Sequence, residues 1–196
     1  IEEFFIRAKN NRSDIYQHME TLRQYASECS HITEMGVGNI VSTWAFLAAN
    51  PKTYVGIDLV KRPIETAGQL AKDSGIDFTF IQTDSLADSL NIDETDLLFI
   101  DTLHVYRQLK AELLKHGDKA RKYIIMHDTT AFGEHDETSW ADHDQDAKNE
   151  YDLRMGPKTE KDGLWLAVTE YLQENPKWKL IQRFTHNSGL TILGRV

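Results

Sequence analysis

Short apolar blocks recur along the chain, separated by stretches whose apolar residues fall at helical spacing. The first block, His31 to Met35, reads as a strand that stops at Gly36-x-Gly38 and restarts as a helix over Trp44-Ala45-Phe46-Leu47-Ala48-Ala49, ending near Asn50-Pro51. Tyr54-Val55-Gly56-Ile57 is a second strand ending in Asp58, and Pro63 opens a helix through Ile64, Ala67, Leu70 and Ala71 that Ser74-Gly75 closes. Phe78-Thr79-Phe80-Ile81 is a third strand leading to Thr83-Asp84-Ser85, followed by a short helix over Leu86 and Leu90. Leu97-Leu98-Phe99-Ile100 is a fourth, apolar throughout, as a strand buried on both faces should be, and it ends in Asp101. A helix with Leu109, Leu113 and Leu114 precedes a fifth strand, Tyr123-Ile124-Ile125-Met126, which ends in His127-Asp128. Upstream of all this, Ser13 or Asp14 caps a helix with Ile15, Met19, Leu22, Ala26 and Cys29 on one face. Downstream, a helix bearing Leu164, Leu166, Val168 and Leu172 stops at Asn175-Pro176, and Trp178–Phe184 and Leu190–Leu193 form a hairpin across His186-Asn187-Ser188-Gly189.

Strands alternating with helices, closed by a hairpin, predict an α/β fold: a Rossmann-like, doubly wound, seven-stranded sheet, mostly parallel with a C-terminal antiparallel hairpin. One domain spans residues 1–196, interrupted at about 129–162 by an acidic stretch that reads as a lid or insertion. In such sheets ligands sit outside the C-terminal strand ends, and there fall Glu34, Asp58, Asp84, Asp101, His127 and Asp128. Glycines between a strand and a helix bring backbone N–H groups close to a ligand, and Asp58, twenty-two residues beyond Gly36, suits a ribose. The cofactor therefore contains a nucleoside. Val41 stands where a dinucleotide fingerprint needs its third glycine, which counts against a pyrophosphate.

Bulk properties remove other classes. A formal charge of −9 without a basic stripe argues against nucleic acid. No apolar run reaches the length of a membrane span and no signal-peptide pattern is present, so a membrane is not expected as a partner. A single cysteine, Cys29, rules out an internal disulfide and points to a reducing, cytoplasmic setting. The chain starts at Ile1, which leaves room for a preceding segment.

The ordered set Glu34-x-Gly36-x-Gly38, Asp58, Asp84-Ser85-Leu86, Phe99-Ile100-Asp101-x-x-His104-x-Tyr106, Met126-His127-Asp128-Thr129 and Asn187-x-Gly189-Leu190-Thr191 resembles class I S-adenosylmethionine-dependent methyltransferases. Within them it is similar to a small-molecule O-methyltransferase branch that includes macrolide-sugar and cephalosporin-biosynthesis-type enzymes. Related proteins often carry a glycine where this chain has Ile40.

The resemblance implies S-adenosylmethionine as cofactor and a small-molecule hydroxyl, a sugar being one such acceptor, as substrate. It implies Glu34 at the methionyl ammonium, backbone approach at Gly36 and Gly38, Asp58 on the ribose hydroxyls, Asp84 on the adenine amine and Ser85 beside it. Ser42 and Thr43 either contact the cofactor or cap the following helix. Asp101, His127 and Asp128 are the expected holders of a divalent metal; His127 replaces a common acid, so Mg²⁺, Mn²⁺, Fe²⁺ and no metal all stay open. His104, three residues past Asp101, is the expected general base, with Asp101 beside it in catalysis. Tyr106 either gates the pocket or packs on the sheet. In the acidic segment, Asp142-His143-Asp144-Gln145-Asp146 starts like a calcium loop but fails at Ala147 and Leu153, while Phe132 and Trp140 are candidates to cover an apolar substrate. Trp44, Trp165 and Trp178 fit the core. Two other readings compete: an NAD-linked or nucleotide-sugar oxidoreductase on the same sheet, and a cofactor-binding domain without catalysis. Beyond the acceptor, the partner expected is at most a second copy of the chain in a homo-oligomer.

Overall fold

The computed structural model describes residues 1–139, 145–156 and 159–196, the side chains of 145–147 excepted. In chain order the elements are α1 (Glu2–Asn10), α2 (Met19–Ala26), β1 (His31–Met35), α3 (Val41–Ala48), β2 (Thr53–Asp58), α4 (Glu65–Asp73), β3 (Asp77–Gln82) and β4 (Thr95–Ile100). They continue with α5 (Tyr106–His116), β5 (Ala120–His127), α6 (Gln145–Met155), α7 (Leu164–Glu174), β6 (Trp178–Phe184) and β7 (Leu190–Arg195). One seven-stranded sheet runs β3-β2-β1-β4-β5-β7-β6. β1 to β5 are parallel neighbours, and β7 joins β5 antiparallel through Ile125↔Ile192. The expected architecture is thus the observed one.

The alternation along β4 explains its unbroken apolar run. Leu97 and Phe99 enter the core under α1, α2, α3 and α4, with Phe5, Leu22, Phe46 and Ala67. Leu98 and Ile100 enter the opposite core under α5 and α7, with Leu109, Leu113, Val168 and Tyr171. Each face needs its own apolar set, so positions 97 to 100 are all apolar. Trp44 and Trp178 are buried in these layers as expected, and half-buried Trp165 packs against the second, with the Arg183 guanidinium 3.5 Å above its ring.

Several local expectations change. α1 was not anticipated; its acids Glu2 and Glu3 open it and Arg7 and Lys9 close it, matching the helix dipole. The helix expected from Ser13 or Asp14 begins instead with a 3₁₀ turn at Tyr16–His18 and becomes α-helical at Met19. The short helix expected over Leu86 and Leu90 is a pair of turns. There the Asp84 carboxylate accepts the Leu86 N–H at 2.8 Å, offering the backbone an alternative to a helix. No described helix is long and apolar enough to cross a membrane.

The acidic segment is held to the body at several points. The Asp136 carboxylate accepts the N–H of Tyr106, at the start of α5, and that of Gly163. Arg107 pairs with Asp152 at 2.6 Å, and the Arg154 guanidinium pairs with Asp84. Trp140 and the side chains of Asp142, His143, Asp144 and Asp146 lie outside the described residues.

Candidate active site

A cavity of about 590 Å³ opens at the C-terminal ends of β1, β2, β3 and β4. Gly36, Gly38, Asp58, Asp84, Ser85 and Asp101 line it, joined by apolar Ile57, Leu59 and Leu103 and by Glu150, Tyr151 and Arg154 of α6. Gly36 has φ +84°, and a Cβ there would fall 1.8 Å from the Asp101 carbonyl oxygen, so only glycine lets the β1 turn pass over β4. Gly38, also at positive φ, has open space beside it, and its N–H donates to Asp58 Oδ2 at 3.0 Å. The Val60 N–H donates to Asp58 Oδ1 and Arg62 Nε to Oδ2, so a β2 carboxylate ties down the glycine turn.

Glu34, Ser42 and Thr43 are placed elsewhere. Glu34 is fully buried behind the turn, its carboxylate accepting hydrogen bonds from the hydroxyls of Ser42, Thr43 (2.8 Å) and Tyr54. None of these lines the cavity. The side chain projects from β1, and the two hydroxyls of the first turn of α3 close over it. Burial lifts its pKa to about 7 against the three hydroxyl hydrogen bonds. The carboxylate thus serves the strand-to-helix junction and not the cavity. Tyr54, the third donor, was not picked out from the sequence, where a tyrosine in a strand looks like any core aromatic.

A charged cluster adjoins the cavity through Asp101. His104 Nε2 lies 3.2 Å from Asp101 Oδ1 and 3.1 Å from Asp128 Oδ2, and its Nδ1 lies 2.9 Å from Glu137 Oε2. The ring stacks on Phe132 at 5.0 Å, nearly parallel. His127 is completely buried; its Nδ1 is 3.4 Å from Asp101 Oδ2 and 3.1 Å from Asp128 Oδ2. Its Nε2 faces the main-chain carbonyls of Asp14 and Asn187. Asp128 adopts a left-handed φ of 58°, tolerable for aspartate, which turns its carboxylate back between the two imidazoles. Tyr106 packs: it is buried, and its hydroxyl donates to Glu170.

These contacts set the protonation of the cluster. Burial alone would lower the histidine pKa values, but it is outweighed. The Asp101 hydrogen bond and the charges of Asp128, Asp101 and Glu137 raise His104 to about 9. The nearby Asp101 and Asp128 carboxylates raise His127 to about 10. Asp101 is partly exposed, and both imidazoles hold it well below the usual carboxylate range. The carboxylates thus favour the protonated form of both rings, against the neutral form a general base at His104 would need.

Among the described residues, ligand atoms of Asp101, His104 and Asp128 lie within 4.8 Å of one another, and the expected His127 also faces both carboxylates, its Nδ1 at 3.4 and 3.1 Å. The expected set had His127 in place of His104. His127 ends β5 paired with Leu190, and that register directs its ring beneath the N-terminal segment and the hairpin turn. Two carboxylates and one imidazole form a set of hard oxygens with a borderline nitrogen, which fits a divalent ion such as Mn²⁺ or Fe²⁺. Beneath the other end of the cavity lies a second buried carboxylate, Glu112, which accepts from Ser85 Oγ (2.5 Å), Thr102 Oγ1 (2.8 Å) and Gln108 Nε2 (2.8 Å). Neither Glu112 nor Gln108 stands out in sequence, being polar residues on an otherwise ordinary amphipathic helix.

The sheet order, the glycine turn under a β2 carboxylate and the cavity over the strand ends define a Rossmann-like fold shared with methyltransferases. No protein-family model matches the chain, and no curated protein does. Among solved structures it is similar to a Klebsiella pneumoniae protein described as an O-methyltransferase, with TM-score 0.60 and 14% identity over 98% of this chain and 86% of that one. It is similar to the Bacillus cereus O-methyltransferase in complex with S-adenosylhomocysteine, at TM-score 0.59 and 14% identity over 95% and 83%. The N-methyltransferase NodS of Bradyrhizobium japonicum, also with S-adenosylhomocysteine, gives 0.59 and 14% over 97% and 96%. At this identity the likeness is one of fold.

Proposed function

We propose that the chain is an S-adenosylmethionine-dependent methyltransferase that moves a methyl group to a hydroxyl of a small molecule, a sugar being one acceptor, assisted by a divalent cation. The observation that carries this reading is the cavity that Gly36, Gly38, Asp58, Asp84 and Ser85 share with Asp101, which is also a member of the cation-type cluster. Fold neighbours solved with S-adenosylhomocysteine support the choice of cofactor.

In this reading Asp58 takes the ribose, and the glycine turn lets the cofactor lie against the backbone. The acceptor oxygen attacks the sulfonium methyl in line. The S–CH₃ bond breaks, an O–CH₃ bond forms, the hydroxyl proton passes to solvent and S-adenosylhomocysteine remains. Asp101, His104 and Asp128 would hold the cation, which when bound acidifies a hydroxyl. Glu137 holds Nδ1 of His104 and leaves Nε2 toward the carboxylates. His104 is accordingly proposed as ligand and charge partner in place of a free base.

The same reading sets the chain in the cytoplasm, with the single buried Cys29 as support, and proposes self-association as its one macromolecular contact. The test is transfer of labelled methyl from S-adenosylmethionine across a panel of hydroxyl compounds, with and without exhaustive chelation. Labelled product that disappears on chelation and returns with Mn²⁺ is expected. Turnover untouched by chelation removes the cation from the proposal, and hydride exchange with a nicotinamide would replace the proposal by the oxidoreductase reading.

A further inference from the structure

The motif Asn187-x-Gly189-Leu190-Thr191 lies outside the cavity, at the turn between β6 and β7. The turn is strained: Asn187, Ser188 and Gly189 follow one another at φ 46°, 66° and 95°. Asparagine and glycine accept such backbone, serine only at a cost. A Cβ at Gly189 would lie 2.4 Å from Thr130 Oγ1 and 2.5 Å from its main-chain nitrogen. Strained backbone persists where its surroundings over-determine it. Here the Ser188 carbonyl accepts the N–H groups of Thr130 (3.0 Å) and Ala131 (2.9 Å), just beyond β5. The Asn187 side chain uses both its ends on the segment before α2. Its Nδ2 donates to the Ser13 carbonyl at 3.0 Å, and its Oδ1 accepts the Gln17 N–H at 2.8 Å.

The same turn reaches the charged cluster through one buried ring. His127 Nε2 lies 3.2 Å from the Asp14 carbonyl oxygen and 3.3 Å from that of Asn187. A carbonyl only accepts, so Nε2 carries a hydrogen and donates. Asp14 belongs to the segment that the Asn187 side chain holds, and Asn187 to the turn. The other nitrogen, Nδ1, faces the carboxylates of Asp101 and Asp128. The ring is fully buried, with His18 edge-on at 5.9 Å. His18 presents its own Nε2 to the carbonyls of His186 and Asn187, at 3.1 Å each, so it too joins segment to turn. Parting the two would take a carbonyl from His127 and free its Nδ1 to move relative to the carboxylates.

We infer that Asn187 is a positioning residue for the Asp101–His104–Asp128 group: it clasps the segment from Ser13 to His18 against the hairpin turn, and the clasp holds His127 where its Nδ1 orients the two carboxylates. This rests on the cation proposed for that group. Removing an outer partner that orients a metal's ligands typically costs about 10- to 100-fold in metal affinity. Asn187 does not line the cavity, so its loss should weaken the cation and spare the nucleoside end. A turn that served the fold alone would, when loosened, affect both ligands alike or neither.

The experiment is calorimetric titration of the full chain with Mn²⁺ alone and, separately, with S-adenosylhomocysteine, for the unaltered protein, Asn187→Gly and Ser188→Gly. Asn187→Gly removes both side-chain bonds and keeps the left-handed backbone; Ser188→Gly relieves the same turn and keeps every bond named. Asn187→Gly is expected to lose about tenfold or more in Mn²⁺ affinity, with S-adenosylhomocysteine affinity within about twofold of the unaltered protein. Ser188→Gly is expected to match the unaltered protein on both. Mn²⁺ affinity unchanged in Asn187→Gly, or both affinities falling together, would overturn the inference. No Mn²⁺ binding to the unaltered protein would overturn the cation reading, and the inference with it. A second readout needs no metal: the His127 Nε2–H resonance in ¹⁵N-labelled protein. It is expected to be protected from solvent exchange in the unaltered protein and in Ser188→Gly, and to be lost in Asn187→Gly. Its absence from the unaltered protein, or its survival in Asn187→Gly, would refute the clasp.

Discussion

Glu34 offers the most quantitative test of the local physics. Its carboxyl has no exposure, and three hydroxyls surround it. In the unfolded chain such a group ionises near 4.5, and in the native protein burial delays ionisation to about 7. At ~1.4 kcal/mol per pH unit this difference corresponds to about 3 kcal/mol. The sign follows from proton counting. Between pH 4.5 and 7 the native state retains a proton that the unfolded state has lost. Its contribution is fully present below 4.5 and is lost as pH rises through 7. Glu34→Gln keeps the shape and removes the proton. Urea unfolding of both proteins across this range should therefore give curves that diverge, with the variant gaining about 3 kcal/mol on the wild type by pH 8 relative to their difference at pH 4. Parallel curves would refute the reasoning, since they would mean that Glu34 ionises alike in both states. The variant should also bind S-adenosylhomocysteine like the wild type, because the carboxylate is not on the cavity wall.

The remaining predictions concern strain and burial. Gly36→Ala should cost more than about 3 kcal/mol in chemical denaturation and abolish cofactor binding, since its Cβ would meet the Asp101 backbone at 1.8 Å. Gly38→Ala, with nothing within 4 Å, should cost only the ~1–2 kcal/mol of a left-handed backbone. Ile40 has φ 57°, so Ile40→Gly should cost less than about 1 kcal/mol by the same measurement, as relief of left-handed strain offsets lost contacts. His18 is fully buried, and burial lowers its pKa to about 4. The native state then binds fewer protons than the unfolded state between pH 4 and 6.5, so stability rises with pH there, opposite in sign to Glu34. Acid unfolding of His18→Gln should show a shallower rise.

Which features could be read from sequence follows from the range of the interactions behind them. Strand β4 announced itself because burial on both faces demands an unbroken apolar run, and the glycine turn because only glycine passes the Asp101 backbone. Asp58 and Asp84 were findable because a strand in a doubly wound sheet ends at the ligand side. That His104 shares the Asp101 and Asp128 carboxylates with His127 was not, because it depends on the left-handed turn at Asp128, a tertiary fact. Glu34 looked like a binding residue because a strand-end acid beside a glycine turn has two uses, and the hydroxyls that claim it come from α3 and β2. Ile40 shows the reverse case. Its place after the glycine turn is a left-handed position, a conformation that this side chain does not favour.

The central claim, that the cavity over β1, β2 and β3 holds an adenosyl cofactor anchored at Asp58, is tested most directly by calorimetric titration of S-adenosylhomocysteine into the intact chain and into Asp58→Ala. The account predicts one site per chain in the wild type and a loss of about tenfold or more in affinity in the variant, which removes the carboxylate proposed for the ribose and holding the Gly38 N–H at 3.0 Å. No binding to folded wild type, or equal binding to both proteins, would contradict it.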